Sequence, residues 1–169
     1  MFETKRKEGF TLIELLIVIA IIAILAAVAF VALDPLTRFQ DSRDAARWAD
    51  TTAVLTAVKV DQVDNGGAYL QAVTDANAGE VYMIVDGAVV AGCDDQNLVC
   101  DTDVTDDNNC INLAGLVDDG YLADVPVSPN GTGNWSANIT GYTLQRNANG
   151  TVVIAACESE NADAIQVLR

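Results

Sequence analysis

The chain has 169 residues, a formal net charge of −15 and no histidine. Without the apolar N-terminal run and its leader, about 136 residues remain, enough for one modest domain and not two. From Asp61 to Arg169 there are 17 acidic residues, and the only basic ones are Arg146 and Arg169. Such a surface repels nucleic acid and anionic lipid headgroups, and no local basic patch offsets the repulsion. We therefore expect no nucleic-acid contact from this region.

The first predicted element is an apolar helix. Three basic residues at positions 5–7 precede it, and 19 apolar residues run without a break from Leu15 to Leu33. A helix from Phe10 to Leu33 would be about 36 Å long, enough to span a bilayer core. No basic residue follows until Arg38, so the positive-inside rule keeps residues 1–9 in the cytoplasm and sends the C-terminal domain outward.

Three interpretations of this segment compete. The first is an ordinary single-pass anchor. The second is a secretory signal peptide cleaved near residues 27–29, although its apolar region would normally be only ~7–15 residues long. The third is cleavage on the cytoplasmic side of the apolar run, at Gly9.

The stretch KEGFTLIELLIVIAIIAILAAVAF resembles the N-terminus of bacterial type IV prepilins and type II secretion pseudopilins. The shared pattern is a basic leader ending in glycine, then an unbroken apolar helix that opens with Phe-Thr-Leu-Ile-Glu, here Gly9, Phe10, Thr11, Leu12, Ile13 and Glu14. The resemblance implies that a prepilin peptidase removes residues 1–9 and that Phe10 becomes N-methylated. It also implies that apolar helices from many copies pack into a filament core, with the help of an inner-membrane assembly machinery.

Glu14 is the one acid inside the edge of the apolar segment. A charge in the bilayer centre costs roughly 2.5–3.5 kcal/mol, and less near the interface. After cleavage, the α-amino group of Phe10 would lie four residues away, one helical turn. We expect Glu14 to be an assembly residue that pairs with this amine in its own or a neighbouring chain.

Residues 34–64 are predicted to form an amphipathic helix. Asp34 and Pro35 either cap a new helix or kink a continuous one, and the long curved helix of the resembling family favours the second. Eight apolar residues recur at helical spacing: Ala46, Ala49, Ala53, Val54, Leu55, Ala57, Val58 and Val60. Arginines at 38, 43 and 47 alternate with aspartates at 41, 44 and 50. They indicate a solvated face with weak ion pairs or, alternatively, pairing between subunits.

Residues 65–169 are predicted to form the head, a small α+β domain. Asp86-Gly87 indicates a first hairpin, residues 111–120 a short helix, residues 147–150 the turn of a second hairpin, and residues 165–168 an edge strand. The predicted fold class is α+β: a long N-terminal hydrophobic helix packed on a small antiparallel sheet of about four strands. The segments are a leader (1–9), a transmembrane and filament-core helix (10–33), its amphipathic half (34–64) and the head (65–169).

Four cysteines, Cys93, Cys100, Cys110 and Cys157, lie in the head, and none forms a CxxC pair. An even count in an exported domain favours two disulfides over a zinc site. Our pairing guess is Cys93–Cys157 with Cys100–Cys110, because the first two would end strands of one sheet. The second pair would then close the acidic loop, residues 93–110, which contains six aspartates.

The sequence indicates no enzyme. It lacks histidine, and Lys59 is the only lysine after Gly9, so a nucleophilic Ser or Cys would lack its usual base. We expect no catalytic residue and no cofactor. The one candidate exception is calcium at the acidic loop, with Asp101, Asp103, Asp106 and Asp107 as oxygen ligands, set against a solvated loop held by disulfides.

The function favoured by these patterns is a structural subunit of a type IV pilus, located in the inner membrane as a prepilin and later in an extracellular filament of identical copies. One alternative is a type II secretion pseudopilin or a minor pilin. An alternative from another class is a membrane-tethered binding domain that never polymerises.

Overall fold

The computed structural model describes residues 9–88 and 91–169. These residues form two compact units, the first ending at Arg38 and the second running from Phe39 to Arg169. The first unit contains helix α1 (Leu12–Leu33) and the first turn of helix α2 (Pro35–Asp64). The second unit contains the rest of α2 and the head.

A single residue, Asp34, separates α1 from α2. Its backbone is left-handed, with φ 36° and ψ 69°, so α1 ends there. Pro35 begins α2, in the first helical position, where its missing N–H leaves no bond unmade. The carbonyl of Asp34 accepts from the Arg38 amide at 3.3 Å, and its carboxylate accepts from the Thr37 hydroxyl at 2.7 Å. The helical stretch therefore resumes at once after Asp34, which is the C-cap of α1.

Helix α2 buries only part of the apolar stripe that its periodicity predicts. Val54, Leu55, Ala57 and Val58 are buried against the head. Three members of the predicted stripe are exposed instead: Ala49, Ala53 and Val60. The helix ends at Asp64, as the sequence DNGG predicts.

The head contains a five-stranded mixed sheet in the order β2-β1-β3-β4-β5. Its elements after α2 are α3 (Gln71–Asp75), β1 (Val81–Val85), a 3₁₀ turn (Asn97–Val99), β2 (Cys110–Asn112), α4 (Ala114–Asp118), β3 (Tyr142–Arg146), β4 (Val152–Ala156) and β5 (Gln166–Leu168). Strands β1 and β2 are parallel, and the other neighbours are antiparallel. The α+β prediction is confirmed. The sheet itself is mixed and not purely antiparallel, and it has five strands where about four were predicted.

The second predicted hairpin is confirmed, because β3 and β4 pair antiparallel around the turn at residues 147–150. Strand β5 pairs with β4 at the sheet edge, as expected. The first hairpin prediction is wrong for β1, which lies between β2 and β3 and so has both edges occupied. Val89 and Val90, in the second arm of that predicted hairpin, lie outside the described residues.

The sheet buries side chains on both faces. Tyr142, Leu144 and Ile154 pack with Val54 and Val58 of α2 on one face. On the other face, six buried side chains form a second cluster: Met83, Val85, Cys93, Val104, Trp135 and Cys157. The head therefore has a core under α2 and a smaller core under the acidic loop.

Two disulfides are present, but the pairing guess was wrong. The bonds are Cys93–Cys110 and Cys100–Cys157, with Cα atoms 5.6 Å and 4.1 Å apart. The guess required Cys93 to end a strand beside the second hairpin. Instead, Cys93 lies in a turn where its amide donates to the Asp107 carbonyl at 3.0 Å. That turn brings it to Cys110, the first residue of β2.

Candidate processing and assembly site

The residues around the predicted cleavage point form an exposed helix start. Gly9 and Phe10 precede the helix, and the Phe10 side chain is 89% exposed. Thr11 is the N-cap: its hydroxyl accepts from the Glu14 amide at 3.3 Å, and its own amide donates to the Glu14 carboxylate at 2.8 Å. This reciprocal pair is a capping box. The bond between Gly9 and Phe10 thus lies just outside a defined helix end.

Glu14 is also held by the Thr11 hydroxyl, which donates to the same carboxylate oxygen at 2.8 Å. Its negative charge lies in the first turn of α1, where the helix dipole favours an acid. The predicted partner, a free amine on Phe10, arises only after cleavage. The pairing of Glu14 with that amine therefore stays a prediction.

Helix α1 buries no residue. Its 22 residues give a length of about 33 Å, which matches the ~30 Å hydrocarbon core of a bilayer. By length and composition, the helical stretch that begins at Leu12 is the one such stretch in the described residues that is apolar enough to cross a membrane. An unbroken apolar surface of this length requires lipid or other apolar helices around it.

The four aspartates proposed as calcium ligands do not come together as one set. Asp101 accepts from the Ser159 hydroxyl at 2.6 Å, and the Asp106 carboxylate accepts from a backbone amide two residues on at 3.1 Å. Asp107 accepts from the amide of Gly92 at 2.6 Å. These bonds shape the loop around its disulfides.

Among the described residues, the carboxylates that do approach one another are Asp94, Asp95 and Asp107, with oxygen atoms within 4.8 Å. Desolvation, followed by the nearby Asp107, raises the pKa of Asp94. Only Asp107 belongs to both sets. Calcium binding at this loop stays a prediction.

The structure places a charged cluster where the sequence indicated a solvated face. Arg47 on α2 is fully buried. Its guanidinium donates to the carboxylates of Asp44 at 2.8 Å and Glu160 at 2.9 Å, and it lies 3.6 Å from Glu158. Arg43 adds a second, two-pronged contact to Glu160. We call these five residues, Arg43, Asp44, Arg47, Glu158 and Glu160, the Arg47 cluster.

The carboxylates of the Arg47 cluster have further donors. Asp44 accepts from three consecutive backbone amides, residues 160–162, at 2.8–3.2 Å. Glu158 accepts from the amides of Thr132 and Gly133 and from the indole N–H of Trp135. The cluster therefore joins α2 to two separate loops of the head.

These contacts change the protonation of two acids. Burial alone would raise the pKa of Asp44, but the three backbone donors and Arg47 bring it below its ordinary value. The hydrogen bond from Arg43 lowers the pKa of Glu160, against opposing burial and with support from Arg47. Both groups are therefore charged at neutral pH: Asp44 of α2 attracts the head amides 160–162, and Glu160 of the head attracts the arginines of α2.

Sequence reasoning missed this cluster. The interpretation of Arg47 as a solvated charge was wrong, because its side chain is fully buried and pairs within the chain. Arg43 is partly exposed and also pairs within the chain. Glu160 lies 113 positions after Arg47, so no local pattern links the two. The one available signal was the position of Glu158 and Glu160 directly after a disulfide cysteine.

These features place the chain in a class of protein that has a membrane-length apolar helix followed by an α+β head. Residues 4–30 match the family model of the prokaryotic N-terminal methylation motif, which is the signature of type IV pilins and pseudopilins. The motif points to a structural protein and, with the apolar helix, fits a membrane-anchored prepilin processed by a prepilin peptidase in a pilus-assembly context. No curated protein and no solved structure matches the chain.

Proposed function

We propose that this chain is a structural subunit of a type IV pilus, cleaved between Gly9 and Phe10 and assembled through α1 into a filament of identical copies. The observation that carries the proposal is α1 itself, a 22-residue apolar helix with no buried residue and with the methylation motif across its start. A bilayer covers such a helix before assembly. In a filament, the α1 helices of other copies take the place of the lipid.

The outward face of α2 supports self-association. Between positions 45 and 60 its exposed residues are all uncharged: Ala45, Trp48, Ala49, Thr52, Ala53, Thr56 and Val60. The hydroxyls of Thr52 and Thr56 donate to carbonyls one turn earlier at 2.8 Å and 2.7 Å, so this face requires no polar partner. Because the chain carries a net charge of −15, copies repel one another except where charge is absent.

Glu14 would select the register of assembly. After cleavage its carboxylate pairs with the amine of Phe10 on its own or a neighbouring chain, in surroundings where other helices exclude water and strengthen the attraction. A misplaced subunit would leave the charge buried and unpaired, at a cost of several kcal/mol. The other contacts of α1 are apolar and nearly uniform, so they select register weakly.

The test is Glu14→Gln in a strain lacking the native subunit. We expect normal cleavage and membrane insertion, and a loss of sheared surface filaments of about tenfold or more, since losing one buried pair costs several kcal/mol. Asp34→Asn is the matched control: it also changes an exposed acid to its amide, at the other end of α1, and should assemble like the wild type. Wild-type filament yield from Glu14→Gln would refute the role of Glu14.

The alternatives differ in where the polymer is found. A secretion pseudopilin would form no long surface filament at native expression, and a tethered binding domain would form none under any condition. Electron microscopy of the native strain, with the subunit identified by mass spectrometry, separates these outcomes from a pilus.

A further inference from the structure

The Cys100–Cys157 disulfide directly precedes the two glutamates of the Arg47 cluster. Glu158 follows Cys157 in the chain, and Glu160 comes two residues later. We propose that this disulfide is a redox switch for the packing of α2. The Arg47 cluster forms when the bond between Cys100 and Cys157 forms, and it separates when that bond is reduced.

Two further contacts tie the same segments together. The Asp101 amide donates to the Cys157 carbonyl at 2.5 Å, and the Ser159 hydroxyl donates to the Asp101 carboxylate at 2.6 Å. The hydroxyl contact is exposed, so water competes with it. The two cysteines are 57 positions apart, and holding such distant segments together without a covalent bond costs considerable chain entropy. The disulfide therefore adds a covalent restraint on Glu158 and Glu160 to the hydrogen bonds that these two residues accept.

The second disulfide provides a contrast within the same molecule. Cys93 and Cys110 are only 17 positions apart. Cys110 pairs with Met83 of β1, and the Cys93 amide bonds to the acidic loop. The Cys93–Cys110 disulfide therefore holds the acidic loop to the sheet, whereas the Cys100–Cys157 disulfide positions the carboxylates that face α2.

The switch acts on one part of α2. Residues 54–58 are held by the apolar core in either redox state, because they pack on the sheet. Residues 43–47 depend on the Arg47 cluster. Oxidation removes two protons and two electrons from the thiols of Cys100 and Cys157, and a disulfide-bearing oxidant accepts the electrons and becomes a dithiol by thiol–disulfide exchange. The proposed switch lies within a single chain, so it does not depend on the proposed assembly into a filament.

Linkage supplies the first test, because coupling between two equilibria is reciprocal. If the disulfide stabilises the cluster, then the cluster must stabilise the disulfide. The full chain in detergent micelles is equilibrated in glutathione redox buffers, and each disulfide is quantified by alkylation and mass spectrometry. Arg47→Met should raise the equilibrium constant for reduction of Cys100–Cys157 by about tenfold or more, a typical coupling.

The Cys93–Cys110 bond is the internal control and should change by less than about twofold. Glu160→Gln is a milder change, and it should raise the equilibrium constant for reduction of Cys100–Cys157 by a smaller factor. No shift in Cys100–Cys157, or an equal shift in both disulfides, would overturn the proposal.

Hydrogen exchange supplies a second test, one that does not use a cluster variant. In Cys100→Ser/Cys157→Ser, amides of residues 43–51 should exchange about tenfold faster or more, while those of β3 and β4 stay within about twofold of the wild type. Cys93→Ser/Cys110→Ser should leave residues 43–51 as protected as in the wild type. Unchanged exchange at 43–51, an equal rise in β3 and β4, or the same effect from the control pair would contradict the switch.

Discussion

Replacing Arg47 with methionine removes the centre of the buried cluster. The guanidinium makes hydrogen bonds to Asp44, Glu160, Ser128 and the Pro129 carbonyl, at 2.8–3.1 Å. Removing one partner of a buried ion pair typically costs about 3–5 kcal/mol. Because every carboxylate of the cluster keeps other donors, we expect the lower end, about 3 kcal/mol. For a domain of this size, that corresponds to a fall in melting temperature of roughly 10 °C.

The assay is thermal unfolding of the full chain in detergent micelles at pH 7. Near-ultraviolet circular dichroism at Trp135 and Tyr142, both buried in the head, separates unfolding of the head from the helical signal of α1. Arg38→Met is the matched control, since Arg38 is exposed. Its free energy of unfolding should lie within about 0.5 kcal/mol of the wild-type value. A similarly small effect for Arg47→Met would refute the assignment of a stabilising cluster.

Two further predictions concern the same part of the head. Gly133→Ala places a methyl carbon 2.2 Å from the buried indole of Trp135, and chemical denaturation should show a loss of about 1–3 kcal/mol from overpacking. Because the pKa values of Asp44 and Glu160 are lowered in the folded protein, the two charged carboxylates stabilise the fold fully at pH values above their ordinary pKa values of 3.8 and 4.5. This contribution to the free energy of unfolding is lost progressively as the pH falls through the lowered pKa values. Urea unfolding at pH 7 and pH 3 should show this loss, and an Asp44→Asn/Glu160→Gln chain with an equal loss would contradict the assigned cause.

Local patterns predicted the N-terminal part of the chain well, because its structure is set by neighbouring residues. Helix α1 follows from an unbroken run of apolar residues, and near the other end of the chain the hairpin of β3 and β4 follows from the turn between them. In each case the interacting groups are close in the sequence.

The errors arose where distant segments meet. The dipeptide Asp86-Gly87 indicates a hairpin, but β2, which starts at Cys110, takes the edge of β1 that a hairpin would have used. The disulfide pairing guess failed for the same reason, because it assumed a strand ending at Cys93. Arg47 looked solvated because its partner Glu160 is 113 positions away.

The central claim is that the chain is processed at Gly9 and polymerises. The most direct measurement is mass spectrometry of the subunit from sheared surface filaments, without reduction. The account predicts a chain that begins with N-methylated Phe10 and contains two disulfides. An uncut chain in the membrane fraction with no filaments, or a mature N-terminus near Phe30, would contradict it.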